Sequence, residues 1–418
     1  MKKKSLSLSA NMLYNSLGSL FYLGCQWLVS VLVVRLAGYE AEGLLMLAIS
    51  LTNMLFSVST FGIRTYQVSD LENKFSSTVY VTTRLLTGAG ALLLCVLYCL
   101  VTPGYTAREQ ACIVLYMVFK LSESQVDVLQ GIQQRAYRMD YIFRSFVLRG
   151  ILSLAGFCLT LYLTQDVLWA IVVMAALTLG VVWGIDVPTS RRQESFVFRP
   201  QLRKSYELLR ISWPLMLTSF LSNAVVSIPR AVLESQMGSE ALGIYGAVAT
   251  PAVLVQTLCL LIYNPLISPI SEAYLQRNQR AYWRLLLRSA GAVIAAATAL
   301  MLGAALLGRW GLNLLFGPEI LPYAYLLLPV LAATSLMAIN WYLNMLLTIA
   351  RRLKTVMFAN LAAVAGVAMV SAPAIQAQGM AGVNNAMYVG LGLSIVVMLA
   401  GLADAWRKQF ASSSKEDL

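Results

Sequence analysis

Long apolar runs separated by short polar breaks cover almost the whole chain. That is the pattern of helices that each cross a bilayer, because a lipid core about 30 Å thick needs about 20 apolar residues in a row. A window of about 20 residues places roughly twelve segments, at 11–36, 42–63, 77–102, 109–131, 145–164, 167–187, 211–235, 241–264, 285–307, 321–349, 355–376 and 382–405. Strands of an outer-membrane barrel would alternate over short stretches, and no such alternation is present. The fold class is an all-α polytopic membrane protein. The longest interval that lipid would refuse runs from Pro188 to Arg210, with Arg191, Arg192, Arg199, Arg203, Lys204 and Arg210 set against Glu194 and Glu207. It predicts a basic linker at 188–210 between six-helix lobes at 1–187 and 211–406, followed by a polar, disordered tail at 407–418.

Composition agrees with this reading. Of 418 residues, 59% are hydrophobic and 12% charged, where soluble domains carry about a quarter charged residues. The formal charge of +12 does not point to nucleic acid, because the cations are not gathered on one soluble face. Lys2 to Lys4, Arg64 with Lys74, Arg135 with Arg138 and Arg144, the 188–210 linker, Arg277 with Arg280, Arg351 to Lys354, and Arg407-Lys408 share one side of the spans. The positive-inside rule makes that side, with both termini, cytoplasmic. Lys2 to Lys4 before an apolar run resembles the start of a signal peptide, but the run is too long and polar for a cleavable one and reads as a retained first helix. The chain has no histidine, so His-based metal sites and triads are excluded. Cysteines 25, 95, 99, 112, 158 and 259 lie in apolar segments without metal-ligand spacing. No Walker motif occurs.

The halves repeat. Gly38-Tyr39-Glu40-Ala41-Glu42-Gly43 is echoed by Gly238-Ser239-Glu240-Ala241-Leu242-Gly243, and Arg84-Leu85-Leu86 by Arg284-Leu285-Leu286 in the same register. Six spans per half make this a parallel repeat about an axis along the membrane normal.

Polar residues inside the spans carry the candidate chemistry. Asn11, Asn15, Ser19, Tyr22, Gln26 and Ser30 fall on one face of the first span, and Ser212, Ser219, Asn223, Ser227, Arg230 and Glu234 lie along the seventh. Such stripes either tie helices together or line a hydrated cavity, and their presence on both first helices favours the cavity. In the fourth span Lys120, Glu123, Asp127, Gln130 and Gln134 share a face. Each charge at mid-membrane costs about 2.5–3.5 kcal/mol on insertion scales. Either Lys120 and Glu123 form a packing ion pair, or the face lines the cavity with an acid able to bind H+ or Na+; Glu123, Asp127 and Glu234 are the candidates for that ion. Arg84, Arg149 and Arg230 are the other cations at or near membrane depth. Arg84 and Arg149 either snorkel to the surface or serve an anion, and Arg230 has Glu234 one turn away. Prolines crowd the second half, at 214, 229, 251, 265, 269, 318, 322, 329 and 373, which predicts more bending there.

The order of these features resembles the polysaccharide transporter, or lipid-linked oligosaccharide flippase, branch of the multidrug/oligosaccharidyl-lipid/polysaccharide exporter superfamily. The residues that carry the resemblance are Gly38 to Gly43, Arg84 to Thr87, Lys120 to Gln134 with Arg138 to Tyr141, and Gly238 to Gly246. It implies two six-helix lobes that move an undecaprenyl-diphosphate-linked glycan across the bacterial cytoplasmic membrane by alternating access. No enzyme activity and no cofactor beyond a coupling H+ or Na+ is implied, and the partners would be membrane lipids and polysaccharide polymerase machinery around a monomer. The related lipid II flippases look like fourteen-span proteins, and the extra pair is missing here. On this reading Arg84, Lys120, Arg149 and Arg230, with Asn15, Gln26 and Asn223, hold the diphosphate and sugars, since guanidinium groups bind phosphate in two-pronged fashion. A multidrug antiporter of the same superfamily is the alternative. A membrane polymerase or glycosyltransferase fits less well, because the loops are short and no nucleotide-sugar or metal motif stands in the linker.

Overall fold

The computed structural model describes residues 7–70, 72–263 and 266–410. Lys2 to Lys4, Pro265 and the tail from 411 onward lie outside them. Among the described residues the regular structure is helical throughout. The chain forms two compact units, 1–223 and 224–418.

In the first unit α1 (Leu8–Thr60) is helical across two predicted spans and breaks only at Gly38, with φ 83° and ψ −179°. That region is open essentially to glycine alone, so the predicted loop between the first two spans contracts to one residue. α2 (Ile63–Ser69) follows after the left-handed pair Phe61 and Gly62. Next come α3 (Ser77–Val101), α4 (Ala107–Arg135), α5 (Met139–Thr164) and α6 (Val167–Val181). A π-helical turn, Val182–Asp186, leads into the short α7 (Val187–Arg191). α4 starts on a capping box: the Glu109 amide donates to the Thr106 hydroxyl, and the Thr106 amide donates to the Glu109 carboxylate at 2.6 Å. Small residues let α5 lie close on α1. A Cβ on Gly18 would stand 3.0 Å from the Phe143 backbone, and one on Gly150 3.1 Å from Cys25 Sγ, the close approach that replaces hydrophobic drive between helices in lipid.

The 188–210 stretch is not a free linker. Only 192–201 is irregular, and α8 (Leu202–Ala249) begins well before the expected span at 211. Phe196 and Leu208 join Phe75, Tyr80, Val126 and Leu129 in one buried cluster. Glu194 meets Arg135 and the Ser77 hydroxyl, Ser205 bonds Thr83 at 2.8 Å, and Lys74 pairs with Glu207 at 2.8 Å. Burying Phe196 and Leu208 removes apolar surface from water, so this stretch belongs to the first unit. The division therefore falls inside α8, between Asn223 and Ala224, and not at 187 and 211.

The second unit holds the rest of α8, then α9 (Ala252–Tyr263), α10 (Ile267–Leu275), α11 (Gln279–Phe316), a 3-10 stretch Pro318–Leu326, α12 (Leu327–Ile349), α13 (Leu353–Gln378) and α14 (Ala381–Phe410). α8 breaks at Gly238 with φ 82° and ψ 172°, nearly the backbone geometry of Gly38. The two glycines that head the sequence repeat thus perform the same turn in each unit. The repeat does not extend to side-chain environment, since Arg84 is buried and Arg284 exposed. Glycines join α13 to α14, and a Cβ on Gly390 would sit 2.6 Å from the Ala363 carbonyl oxygen. Several ties between these helices are neutral: Asn340 to Ser394 at 2.6 Å, Tyr245 to Asn384 at 2.8 Å, and Ser289 with Tyr342 at 2.6 Å. Nine described helices meet the length and apolarity needed to cross a membrane. α4 is not among them, because its polar face lowers its hydropathy.

Candidate functional site

The face predicted on α4 exists, and it organises the first unit into two linked groups of charges. In the first group the Lys120 Nζ pairs with Glu123 Oε2 at 2.7 Å and lies among the rings of Phe56, Tyr116 and Phe119, 5.3 to 5.8 Å from their centres. Aromatic faces attract a cation at that range. The Tyr22 hydroxyl on α1 donates to Glu123 Oε1 at 2.6 Å. On α5, the Arg149 guanidinium lies 4.9 Å from the Tyr22 ring centre and 5.4 Å from that of Phe146, and its Nε donates to the Ser145 hydroxyl at 3.2 Å. Beside Ser145 stands Asp186 of the π-helical turn, only 1% exposed.

The second group centres on Asp127. Its Oδ1 meets Arg64 of α2 at 3.3 Å, and its Oδ2 meets Arg84 of α3 at 2.8 Å. Arg64 also donates to Gln130 Oε1 and Gln134 Oε1, both at 3.0 Å. Arg84 reaches Ser124, which in turn accepts from Ser59 at 2.7 Å. The Arg84 side chain is fully buried, whereas those of Arg64 and Asp127 are about a quarter exposed. Two guanidinium groups share one carboxylate, so this group keeps a formal charge of +1.

The structure thus brings together Arg84, Lys120, Arg149, Glu123 and Asp127 as sequence neighbours could not. Arg84 and Arg149 do not snorkel; both are buried. The acid left over after Lys120 pairs with Glu123 finds its partners on other helices, α2 and α3. Gln26 donates to Ser153 of α5 at 3.2 Å, Asn11 accepts from the Met139 amide at 2.8 Å, and Asn223 donates to Ser57 at 3.0 Å. These side chains of the polar stripes tie helices within the first unit; Asn15 is half-buried on the same α1 face. Arg230 and the buried Glu234 lie on the α8 portion of the second unit, within electrostatic reach of Tyr245 in the case of Arg230.

Two participants are hidden in the sequence. Arg64 reads there only as one of the cations that set orientation, although its long side chain reaches from α2 onto the α4 face. Asp186 is the last residue but one of the predicted span 167–187 and is not among the candidates there. The sequence signal for it is Pro188. A proline has no N–H for the Gly184 carbonyl and crowds that oxygen. The turn before it widens, with the Val187 amide bonded to the Val182 carbonyl, and this turns Asp186 inward.

Outside the spans, Asp70 closes the turn between α2 and α3. Burial would raise its carboxyl, but the Tyr80 hydroxyl at 2.7 Å and the Lys74 and Phe75 amides at 2.9 and 3.1 Å outweigh that and hold it below the usual carboxylate range. Among the described residues no three His, Cys, Asp or Glu side chains converge.

Comparison with known proteins agrees with this architecture. The fold is shared with the lipid II flippase MurJ in an inward closed conformation, at a TM-score of 0.73 and 12% identity over 96% of this chain and 90% of that one. It is shared too with the Vibrio cholerae MATE transporter VcmN, in a point-mutant form, at 0.64 and 13% over 96% of each, and with a multidrug resistance MATE family transporter of the MOP superfamily in an outward-facing conformation, at 0.64 and 14% over 97% and 96%. In sequence, a Staphylococcus aureus capsular polysaccharide biosynthesis protein, CapF, is 22% identical over 263 residues, and the match spans 62% of each protein. Residues 8–272 match the polysaccharide biosynthesis protein family, more than half of the chain and all of the charged face just described, and the chain belongs to that family.

Proposed function

We propose that this protein is a flippase that moves an undecaprenyl-diphosphate-linked oligosaccharide outward across the bacterial cytoplasmic membrane, with both termini cytoplasmic, for cell-surface polysaccharide synthesis. The observation that carries the reading is the Arg64–Asp127–Arg84 group, in which two guanidinium groups share one carboxylate. A structural ion pair would need one cation only. The excess suits a diphosphate, whose oxygens can replace the Gln130 and Gln134 oxygens on Arg64 with charge-assisted bonds. Arg84, Lys120, Arg149 and Arg230, with Asn15, Gln26 and Asn223, complete the set offered to headgroup and sugars. Glu123, Asp127 and Glu234 are the acids that the sequence offers to a coupling H+ or Na+, and the first two are engaged in ion pairs. The polyprenyl tail stays in lipid, and the family and fold support transport rather than catalysis. The protein works as a monomer beside the polysaccharide polymerase machinery.

The test is translocation of a fluorescent undecaprenyl-diphosphate sugar in proteoliposomes, with imposed proton or sodium gradients. Wild type moves the lipid, and Arg64→Ala slows it by roughly 10- to 150-fold, the worth of a charged hydrogen bond of about 1.5–3 kcal/mol. Lys120→Ala and Arg230→Ala both at wild-type rate would remove the site assignment. Efflux of cationic dyes with no movement of the lipid would make the protein a multidrug antiporter instead.

A further inference from the structure

Three carboxyls belong to the two charge groups, and they are not alike. Glu123 has a donor on each oxygen, Tyr22 on Oε1 and Lys120 on Oε2. Asp127 likewise has Arg64 on Oδ1 and Arg84 on Oδ2. Protonating either would break a charge-assisted bond at an oxygen already satisfied. Asp186 is more deeply buried than both, yet its Oδ2 has no hydrogen-bond donor. The Ser145 hydroxyl, which also accepts from Arg149, lies beside the carboxyl. A buried ionised group with an unfilled oxygen is held at a cost that a proton relieves. Its place on a π-helical turn adds weight, since such turns recur at functional positions.

Among the described residues, the counter-charge near Asp186 is Arg149. From α5 the facing groups are Arg149 and Ser145. α4 carries Lys120, Glu123 and Asp127, each engaged in the pairs above, and Arg135, which turns to Glu194. α6 has no titratable side chain. On α7, Arg191 lies over the rings of Phe196 and Phe198, 5.4 and 5.1 Å from their centres.

We propose that Asp186 is the carboxyl through which the first unit takes up and releases a proton, ionised while Arg149 balances it and neutral when Arg149 is engaged by an anionic ligand. The step is a bare proton transfer between water and the Asp186 oxygen; no other bond is made or broken. Linkage then requires that binding of the anion and uptake of the proton favour each other. The ligand half of this inference rests on the diphosphate-lipid reading above, and the proton half does not.

Infrared difference spectra of the purified protein in lipid, taken across a pH titration without ligand, test the proton half. Wild type shows a protonated-carboxyl band that shifts with isotope-labelled aspartate and vanishes in Asp186→Asn. A band that persists in Asp186→Asn overturns the proposal. If that variant does not reach the membrane, labelling decides in wild type alone: a band unmoved by labelled aspartate overturns it, and a moved band in Asp127→Asn protein supports it. Proton uptake on adding undecaprenyl diphosphate, read with a pH indicator, tests the other half. Wild type takes up a proton that Asp186→Asn does not, and equal uptake by both overturns the coupling. Wild type that binds no undecaprenyl diphosphate while its aspartate band titrates sinks the diphosphate reading and leaves Asp186 as the proton site.

Discussion

The Arg84–Asp127 pair makes a sharp energetic prediction, because its two ends sit in different surroundings. The Arg84 side chain is fully buried, and among the described residues its only carboxylate is Asp127 at 2.8 Å; the Asp127 side chain is 26% exposed and also has Arg64. Asp127→Leu strands a buried guanidinium, which costs about 3–5 kcal/mol. In an Arg84→Leu background the same substitution removes only the part-exposed contact with Arg64, worth about 0.2–1 kcal/mol. The cycle therefore yields a coupling of roughly 2–5 kcal/mol, or about 30- to 5,000-fold in the folding equilibrium. Unfolding of the four proteins by SDS in mixed micelles, followed by far-ultraviolet circular dichroism, measures it from the shift in midpoint at constant slope. An equal cost for Asp127→Leu in both backgrounds would falsify the assignment of Asp127 as the counter-charge of Arg84. It would also dissolve the claim that two cations share one acid.

Gly38→Ala and Gly238→Ala should each cost about 1–3 kcal/mol, since φ is 83° and 82° while a Cβ would meet nothing within 4 Å at either place. Gly24→Ala, a helical site with equal space, should cost nothing, and matching losses at all three in the same micelle assay would refute the backbone explanation. Gly390→Ala drives a Cβ into the Ala363 carbonyl and should lose about 1–3 kcal/mol by overpacking, seen as a lower thermal midpoint; an unchanged midpoint means that α13 and α14 are not held at that distance. Asp70 has a lowered carboxyl in the folded state, so it stabilises above the unfolded value of about 3.9 and loses that contribution as pH falls through the folded one. The gap in thermal midpoint between wild type and Asp70→Asn should hold at neutral pH and close in acid, and a gap independent of pH counts against the three-donor turn.

The helical class, the duplicated glycine turn and the charged face of α4 were all readable in the primary chain, because each is a local matter. Twenty apolar residues satisfy their own backbone in lipid only as a helix. A spacing of three and four puts Lys120, Glu123 and Asp127 on one side whatever surrounds them. Glycine at 38 and 238 permits a backbone that other residues resist. What no local rule contains is which charge answers which. Asp127 is neutralised from α2 and α3, 63 and 43 positions away in sequence, and Arg64 passes for an orientation charge until α2 lays it on α4. Arg149 of α5 and Asp186 of the widened turn before Pro188 come within electrostatic reach of each other only in the folded unit. The 188–210 stretch shows the same limit from the other direction: its charges announce a linker, while Phe196 and Leu208 find a core that exists only once α2, α3 and α4 are assembled. Periodicity reports the face a helix offers, and the pairing energy of a buried charge depends on what that face meets.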